Sequence, residues 1–303
     1  MVIQKIILAL LLSMQIKYGY VANVDPIGIG SYRIEKTAPI KDGDIKIAII
    51  DTGVNSSNNL FRGINITSFD VSEKSIKPNY AHGTMVAGIL VEMIRLTAPD
   101  ILPNVEFISI RMGNENSLDE SDLIRAIKKA ITLDVDVINI SACIYNPSVQ
   151  LKEAVDKALA EKIIIVASVG NDCYMGYSYP ACYDDVIAVT AVNQDGSIFD
   201  MANKNDRISV CAPGVNISTA DPDNMVNYVK FTGTSAAAPF VTALVSIIRY
   251  EDKKITSKEM KTILEDTATD LGKPGKDNTY GYGLIDYKRA LEEAVQQNEL
   301  SDH

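Results

Sequence analysis

The chain has 303 residues, of which 47% are hydrophobic and 22% charged, a composition typical of a globular protein with a large core. Its formal net charge of −10 disfavours nucleic acid and anionic membrane surfaces as partners, because both repel an acidic protein. The chain has only two histidines, His82 and His303, and no CxxC pair, so we predict no metal centre of the zinc type.

The N-terminal segment 1–22 contains an apolar run from Ile6 to Met14, which is typical of a secretory signal peptide and too short to span a membrane as a helix. We favour this reading, and therefore a secreted or cell-surface protein without a membrane-spanning segment in its mature form. The alternative is an apolar N-terminal segment packed on a cytoplasmic protein. No linker, repeat or low-complexity stretch follows, so we predict one domain over 23–295 and a polar, frayed tail over 296–303.

From Ile45 onward, short β-branched runs alternate with longer amphipathic ones. Five runs are predicted to be buried strands, at 45–50, 105–110, 135–140, 162–168 and 186–192. Helical spacing covers 118–133 and 148–161. Two capping-box patterns, Ser117 with Glu120 and Thr256 with Glu259, indicate helix starts. The alternation predicts an α/β fold with a doubly wound, mainly parallel sheet and helices on both faces.

Three polar residues stand where such a fold builds its sites, at the carboxyl ends of strands and the amino ends of helices. Asp51 follows the first core strand, while His82 and Ser235 each begin a helical segment. Singly, each has a commoner role, as a loop cap, a structural histidine or a helix N-cap. Together they supply a nucleophilic hydroxyl, an imidazole that takes its proton and a carboxylate that orients the imidazole. Since His303 lies in the polar tail, His82 is the only credible base.

The surroundings of Ser235 fit this chemistry. The small residues of GTSAAAP leave room for a substrate backbone, and the helix start offers N–H groups and a positive dipole end to a developing oxyanion. Asn171 follows a buried strand through Gly170, and its amide is a candidate donor to the same oxyanion. An ordinary turn residue would show the same local pattern.

The order Asp, His, Asn, Ser in the contexts DTG, HGT, GN and GTSAAAP resembles the subtilisin-like serine proteases, or subtilases (peptidase family S8). The separations of 31 (82 − 51), 89 (171 − 82) and 64 (235 − 171) residues are similar to those of the family's bacterial core. The resemblance implies a serine endopeptidase that cleaves polypeptides through an acyl-enzyme intermediate. It implies that Asp51 orients His82, which acts as general base and then acid for the nucleophile Ser235. Asn171 and the Ser235 backbone N–H would form the oxyanion hole.

The same resemblance places the substrate-binding site at Ser141, Ala142, Cys143, Gly170 and Ser178. Family members commonly carry Ser-Leu-Gly-Gly where this chain has SACI, which adds side chains at the rim of the first specificity pocket. Ser178 would form a small, uncharged pocket floor. We therefore predict a narrower substrate range than that of a digestive subtilisin.

Many family members interrupt the helix after the His motif with an Asn-rich loop that holds calcium. Here GILVEMIRLTAPD continues without such a loop, so we expect the tight calcium site to be absent, while a weak site elsewhere stays open. Catalysis is expected to need no cofactor.

The four cysteines divide into two pairs. Cys143 and Cys211 lie in apolar runs and are predicted to be core thiols. Cys173 and Cys182 bracket a Tyr-rich loop, and they either form a disulfide in an oxidising compartment or stay free.

Other functions are weighed against this one. DTG at 51–53 is also the signature of aspartic proteases, but their chemistry needs two such carboxylates, and no second DTG or DSG occurs. A catalytically inactive subtilase-fold binding protein is disfavoured because every catalytic position is filled. Among active enzymes, the crowded pocket favours a dedicated maturation or leader-processing protease over a general secreted protease of the subtilisin type.

Overall fold

The computed structural model describes residues 45–73, 79–113 and 119–301, so the predicted signal segment 1–22, Ser117 and His303 lie outside the described residues. The strands are β1 (Ile45–Asp51), β2 (Asn65–Asp70), β3 (Val105–Arg111), β4 (Val137–Ile140), β5 (Ile164–Ser168), β6 (Ile187–Val192), β7 (Val210–Pro213), β8 (Ile217–Ala220) and β9 (Tyr228–Phe231). The α-helices are α1 (Ala81–Thr97), α2 (Glu120–Thr132), α3 (Val149–Ala160), α4 (Thr234–Glu251), α5 (Ser257–Thr267) and α6 (Tyr287–Ser301).

Seven strands form one sheet in the order β2-β3-β1-β4-β5-β6-β7, and every neighbouring pair is parallel. Strands β8 and β9 form a separate antiparallel pair. The prediction of a doubly wound, mainly parallel sheet is confirmed, and all five predicted strands are present. Because β1 lies between β3 and β4, the chain winds outward from β1 in both directions. Ligand sites in such sheets lie beyond the carboxyl ends of the strands at this switch point.

The near-continuous apolar run of β1 is explained by burial on both faces of the sheet. Ile45, Ile47 and Ile49 contact the core cluster that includes α1 and α4, while Ala48 and Ile50 contact the cluster that includes α2 and α3. All five side chains are almost completely buried. Each fully buried isoleucine contributes about 1.5–3 kcal/mol to stability, so the two clusters fix the sheet between its helices.

Helix α4 is buried along almost its whole length, from Thr234 to Arg249. It packs against β4, β5, β6, β7 and α1. A helix with apolar residues all round is expected in such an interior position. The first turn of α4 is therefore buried, and it lies at the edge of the sheet.

The helix ends confirm one capping prediction and correct another. At α5, Thr256 and Glu259 form the complete capping box. Helix α2 instead begins at Glu120, with Asp119 as its N-cap accepting from the Ser121 N–H at 3.0 Å, so Glu120 is not the third residue of a box there. Helix α6 continues to Ser301 and so includes part of the predicted polar tail 296–303.

Candidate active site

The predicted site residues meet at the carboxyl edge of the central strands. Asp51 is the last residue of β1, and Ser141 directly follows β4. The register pairs Ile50 with Ile140, so Asp51 and Ser141 leave the sheet side by side, about 5 Å apart. The first turns of α1 and α4 reach the same edge, which brings together residues separated by up to 184 positions (235 − 51) in the chain.

The carboxylate of Asp51 and the imidazole of His82 are hydrogen bonded. Nδ1 of His82 lies 2.8 Å from Oδ1 and 3.0 Å from Oδ2 of Asp51. Oδ1 also accepts from the Thr52 N–H at 2.7 Å. A carboxylate only accepts, so Nδ1 carries the proton and Nε2 of the neutral ring is left as the acceptor. The side chain of Asp51 is 2% exposed and that of His82 is 21% exposed, so substrate can reach the imidazole while the acid is shielded.

Close backbone approach puts His82 in this position. A Cβ on Gly83 would lie 2.3 Å from the carbonyl oxygen of Gly53, so only glycine allows α1 to start against the end of β1. The Gly83 N–H donates to the Thr52 hydroxyl at 3.0 Å, which pins the two elements together. The imidazole also packs perpendicular to the Phe231 ring, with 5.3 Å between the ring centroids. The DTG and HGT contexts are thus a packing requirement of the Asp51–His82 pair.

Ser235 is the second residue of α4 and is joined to the segment after β4. Its hydroxyl donates to the Ser141 carbonyl oxygen at 3.3 Å. Pro239 has no N–H and cannot donate to the Ser235 carbonyl four residues earlier. The Ser141 hydroxyl donates to that carbonyl instead, at 3.3 Å, and itself accepts from the buried Asn139 amide at 3.0 Å. The proline inside the helix therefore frees a carbonyl that ties Ser235 to the sheet.

The amide of Asn171 is held at the first turn of α4. Its Oδ1 accepts from the Thr234 N–H at 2.8 Å and from the Thr234 hydroxyl at 3.0 Å. Since a backbone N–H can only donate, the atom facing it must be Oδ1, so Nδ2 is the atom available as a donor beside Ser235. The Thr234 hydroxyl also accepts from the Gly170 N–H at 3.1 Å. Thr234 thus orients the amide from two sides.

Sequence reasoning missed Asn203, which holds the loop that carries Asn171. This side chain is fully buried, and its Oδ1 accepts from the N–H groups of Asp172 at 3.0 Å and Tyr174 at 2.9 Å. Its Nδ2 donates to the Val169 carbonyl at 2.8 Å. Asn203 lies 32 residues beyond Asn171 (203 − 171), between MA and KND, and no local pattern marks it.

The predicted substrate-binding residues fall into two groups. Ala142 and Cys143 are half-buried in the segment after β4, and Gly170 follows β5 in the loop before Asn171. Ser178, the predicted pocket floor, is fully buried, and its hydroxyl donates to the Val169 carbonyl at 2.6 Å. The proton of the Ser178 hydroxyl is therefore donated to the protein's own backbone in this structure.

All four cysteines are free thiols, so the predicted alternative of a Cys173–Cys182 disulfide is not present in the structure. Cys173 is exposed with its Sγ 3.3 Å from the Asp200 carbonyl, whereas Cys182 is buried. Burial raises the pKa of Cys182, and it raises the pKa of Cys211 strongly. The prediction of a core thiol agrees with the position of Cys211 in β7, whereas Cys143, predicted in the same way, is only half-buried.

Helix α1 runs for 17 residues without a loop after the His motif. Among the residues that the structure describes, no three His, Cys, Asp or Glu side chains are grouped so that they could hold a metal ion. Over the same residues, no helix combines the length and apolar character needed to cross a membrane.

Comparison with known proteins identifies the family of the chain. The family model for the subtilase family matches residues 42–283. Subtilisin DY of Bacillus licheniformis is 32% identical over 279 residues, covering 89% of this chain and 100% of that protein. The minor extracellular protease Epr of Bacillus subtilis is 30% identical over 293 residues, covering 91% of this chain and 44% of Epr.

Solved structures share the fold. Fervidolysin from Fervidobacterium pennivorans, a keratinolytic enzyme related to subtilisin, is 25% identical with a TM-score of 0.70, covering 82% of this chain and 42% of fervidolysin. The prenylagaramide maturation protease PagA is 24% identical with a TM-score of 0.69, covering 84% of this chain and 94% of PagA. The chain belongs to the subtilase family and is a subtilisin-like serine endopeptidase that acts on polypeptides.

Proposed function

We propose that this protease cleaves peptide bonds with Ser235 as nucleophile, His82 as general base and Asp51 as the group that orients His82. The observation that carries the proposal is the part-buried Asp51–His82 hydrogen bond at the sheet edge where Ser235 and the Asn171 amide also lie. This edge offers the three groups that acyl transfer needs, a nucleophile, a base with a fixed tautomer and oxyanion donors.

In the first step, the Ser235 hydroxyl turns from the Ser141 carbonyl toward Nε2 of His82. Nε2 takes the proton while Oγ attacks the substrate carbonyl carbon, which forms a tetrahedral intermediate. The imidazolium is stabilised by the negative charge of Asp51 at 2.8–3.0 Å.

The oxyanion of the intermediate is stabilised by Nδ2 of Asn171 and the backbone N–H of Ser235. The first N–H groups of α4 have no partner within the helix, and the positive end of the helix dipole lies there. Because Thr234 and Asn203 fix the Asn171 loop in advance, these donors need little rearrangement during the reaction.

His82 then donates its proton to the leaving amine, which leaves an acyl ester on Ser235. Water attacks this ester with His82 again as base, and the second product departs with a new carboxylate. No step uses a metal, and we propose that activity does not depend on tightly bound calcium.

We further propose a secreted enzyme that processes a restricted set of precursors. Support comes from the half-buried Cys143 and Ile144 side chains beside the cleft and from the fold shared with PagA, a maturation protease by name. The relative Epr is extracellular by name.

The test compares wild type with Ser235→Ala on a library of short peptides, with cleaved bonds identified by mass spectrometry. We expect cleavage at a restricted set of bonds by wild type and none by Ser235→Ala. Ser246→Ala is the matched control, because Ser246 is a buried serine of the same helix whose hydroxyl donates to the Thr242 carbonyl at 2.7 Å.

Three results would contradict the proposal. Undiminished cleavage by Ser235→Ala would exclude Ser235 as nucleophile. Broad cleavage of casein and most library peptides would favour a general secreted protease. A folded wild type that cleaves nothing would favour an inactive binding protein.

A further inference from the structure

Two segments form walls on either side of Ser235. One is residues 141–145, after β4, and the other is residues 170–174, after the adjacent strand β5. Ser235 bonds the first wall through Ser141, and the Thr234 N–H bonds the second through Asn171. A substrate with its carbonyl carbon at Oγ of Ser235 and its oxygen at Nδ2 of Asn171 must direct the adjacent side chain between these walls.

The two walls are tied together by hydrogen bonds. The Tyr145 hydroxyl of the first wall donates to the Asp172 carboxylate of the second. The Tyr145 oxygen accepts from Nδ2 of Asn203 at 3.0 Å, and Asn203 in turn holds the second wall. The rings of Tyr145 and Tyr174 meet edge to face at 5.1 Å between centroids. The walls are thus held at a fixed, short separation.

Between the walls, the space is already occupied by Cys143. A Cβ on Gly170 would lie 2.5 Å from Nδ2 of Asn203, 2.9 Å from the Cys143 Sγ and 3.3 Å from the Tyr145 hydroxyl oxygen, closer than ordinary contacts allow. The two walls are therefore in contact where Cys143 and Tyr145 face Gly170. They can come this close only because Gly170 has no side chain. Burial raises the pKa of Cys143, so the thiol is neutral at neutral pH and occupies the space as a small uncharged group.

We propose that the cleft admits only a small side chain, that of glycine, alanine or serine, at the residue that contributes the carbonyl of the cleaved bond. Cys143 and Tyr145 determine this specificity, Cys143 by filling the space and Tyr145 by holding the walls together. This inference rests on the proposed role of Ser235 and Asn171.

The experiment measures kcat/KM on one peptide in which the residue before the cleaved bond is Gly, Ala, Ser, Leu, Phe or Lys. Wild type is expected to prefer Ala to Phe by at least about tenfold, and Cys143→Gly to raise kcat/KM for the Phe peptide at least about tenfold with the Ala peptide little changed. Tyr145→Phe, which keeps the ring and removes the tie to Asp172, should shift the ratio in the same direction. Tyr250→Phe is the matched control, since it removes a tyrosine hydroxyl that accepts from Nδ2 of Asn104 near the C-terminal end of α4, outside the walls, and should leave the ratio unchanged.

Wild type that cleaves the Phe or Lys peptide as well as the Ala peptide would overturn the inference, as would an unchanged ratio in both folded variants. If Cys143→Gly fails to fold, Cys143→Ala replaces it with the same expectation. Covalent labelling of wild type by a fluorophosphonate separates the two proposals. If wild type is labelled and cleaves broadly, only the proposed specificity is refuted. If wild type is not labelled and cleaves nothing, the proposed function is refuted as well.

Discussion

Asp51→Asn tests the carboxylate–imidazole pair with little change in shape. In the native protein, Oδ1 accepts from both the His82 Nδ1–H at 2.8 Å and the Thr52 N–H at 2.7 Å, and Oδ2 lies 3.0 Å from Nδ1. An amide offers one oxygen and one NH2 group in the same places. If the NH2 group faces Nδ1, the imidazole proton moves to Nε2. Nε2 can then no longer accept the proton of the Ser235 hydroxyl.

The larger loss is electrostatic. Imidazolium forms when His82 takes the Ser235 proton, and Asp51 is the negative charge beside it. At a separation of about 3 Å and an effective dielectric constant of about 20, Coulomb's law gives roughly 5.5 kcal/mol of attraction. At about 1.4 kcal/mol per tenfold in rate, removing it should lower kcat/KM by about 10⁴-fold.

The assay is kcat/KM on a cleaved peptide at one fixed pH, with the melting temperature measured in parallel. Asp195→Asn is the control, because Asp195 is an exposed turn residue whose Oδ1 accepts from the Ser197 N–H and whose charge lies outside the site. The control should retain full activity. An Asp51→Asn enzyme that folds normally and keeps kcat/KM within tenfold of wild type would refute the reasoning.

Four further predictions follow from the site and its surroundings. Asn171→Leu should lower kcat by about 10²- to 10³-fold with little change in KM, since one oxyanion donor is lost; an unchanged kcat would remove Asn171 from the site. Thr256→Ala should lower the free energy of unfolding in urea by about 1 kcal/mol without changing kcat/KM. Hydrogen bonds from the Thr256 backbone N–H and hydroxyl lower the pKa of Glu259, so the part of the deficit that comes from the lost hydroxyl–carboxylate bond is present above the ordinary pKa of glutamate and is lost as pH falls through the lowered value; a deficit that persists undiminished at the acid end would contradict it. Iodoacetamide should modify exposed Cys173 well before Cys143, whose pKa is raised by burial, and peptide mass spectrometry would reveal the reverse order. EDTA should leave activity in place; loss that calcium restores would show a required ion.

The strands that the sequence predicted are those buried on both faces. Runs such as that of β1 are apolar at nearly every position, and sandwiching between helices is the physical cause of that pattern. Strand β2, with the sequence NITSFD, lies at the sheet edge and is half-exposed, so it carries no such pattern. Strands β7, β8 and β9 have the sequences VCAP, ISTA and YVKF, which contain fewer β-branched residues than the VINI of β4.

The candidate site likewise has residues that the sequence predicts and residues that it does not. Asp51, His82 and Ser235 stand at element ends, which a strand and helix pattern locates, and their motifs are local. The partners that position them are not local. Asn203 contacts the Asn171 loop because two loops pack together, and no local sequence pattern predicts that packing. The Tyr145–Asp172 contact joins residues 27 positions apart in the chain (172 − 145). Such contacts depend on tertiary structure alone.

The most direct test of the central claim is the site of covalent labelling by a fluorophosphonate, read by mass spectrometry of the digested protein. One adduct per chain, on Ser235, is predicted for wild type, and labelling should be strongly slowed in His82→Ala. No adduct on a folded wild type, an adduct on another residue, or equal labelling rates with and without His82 would contradict the claim that Asp51 and His82 activate Ser235.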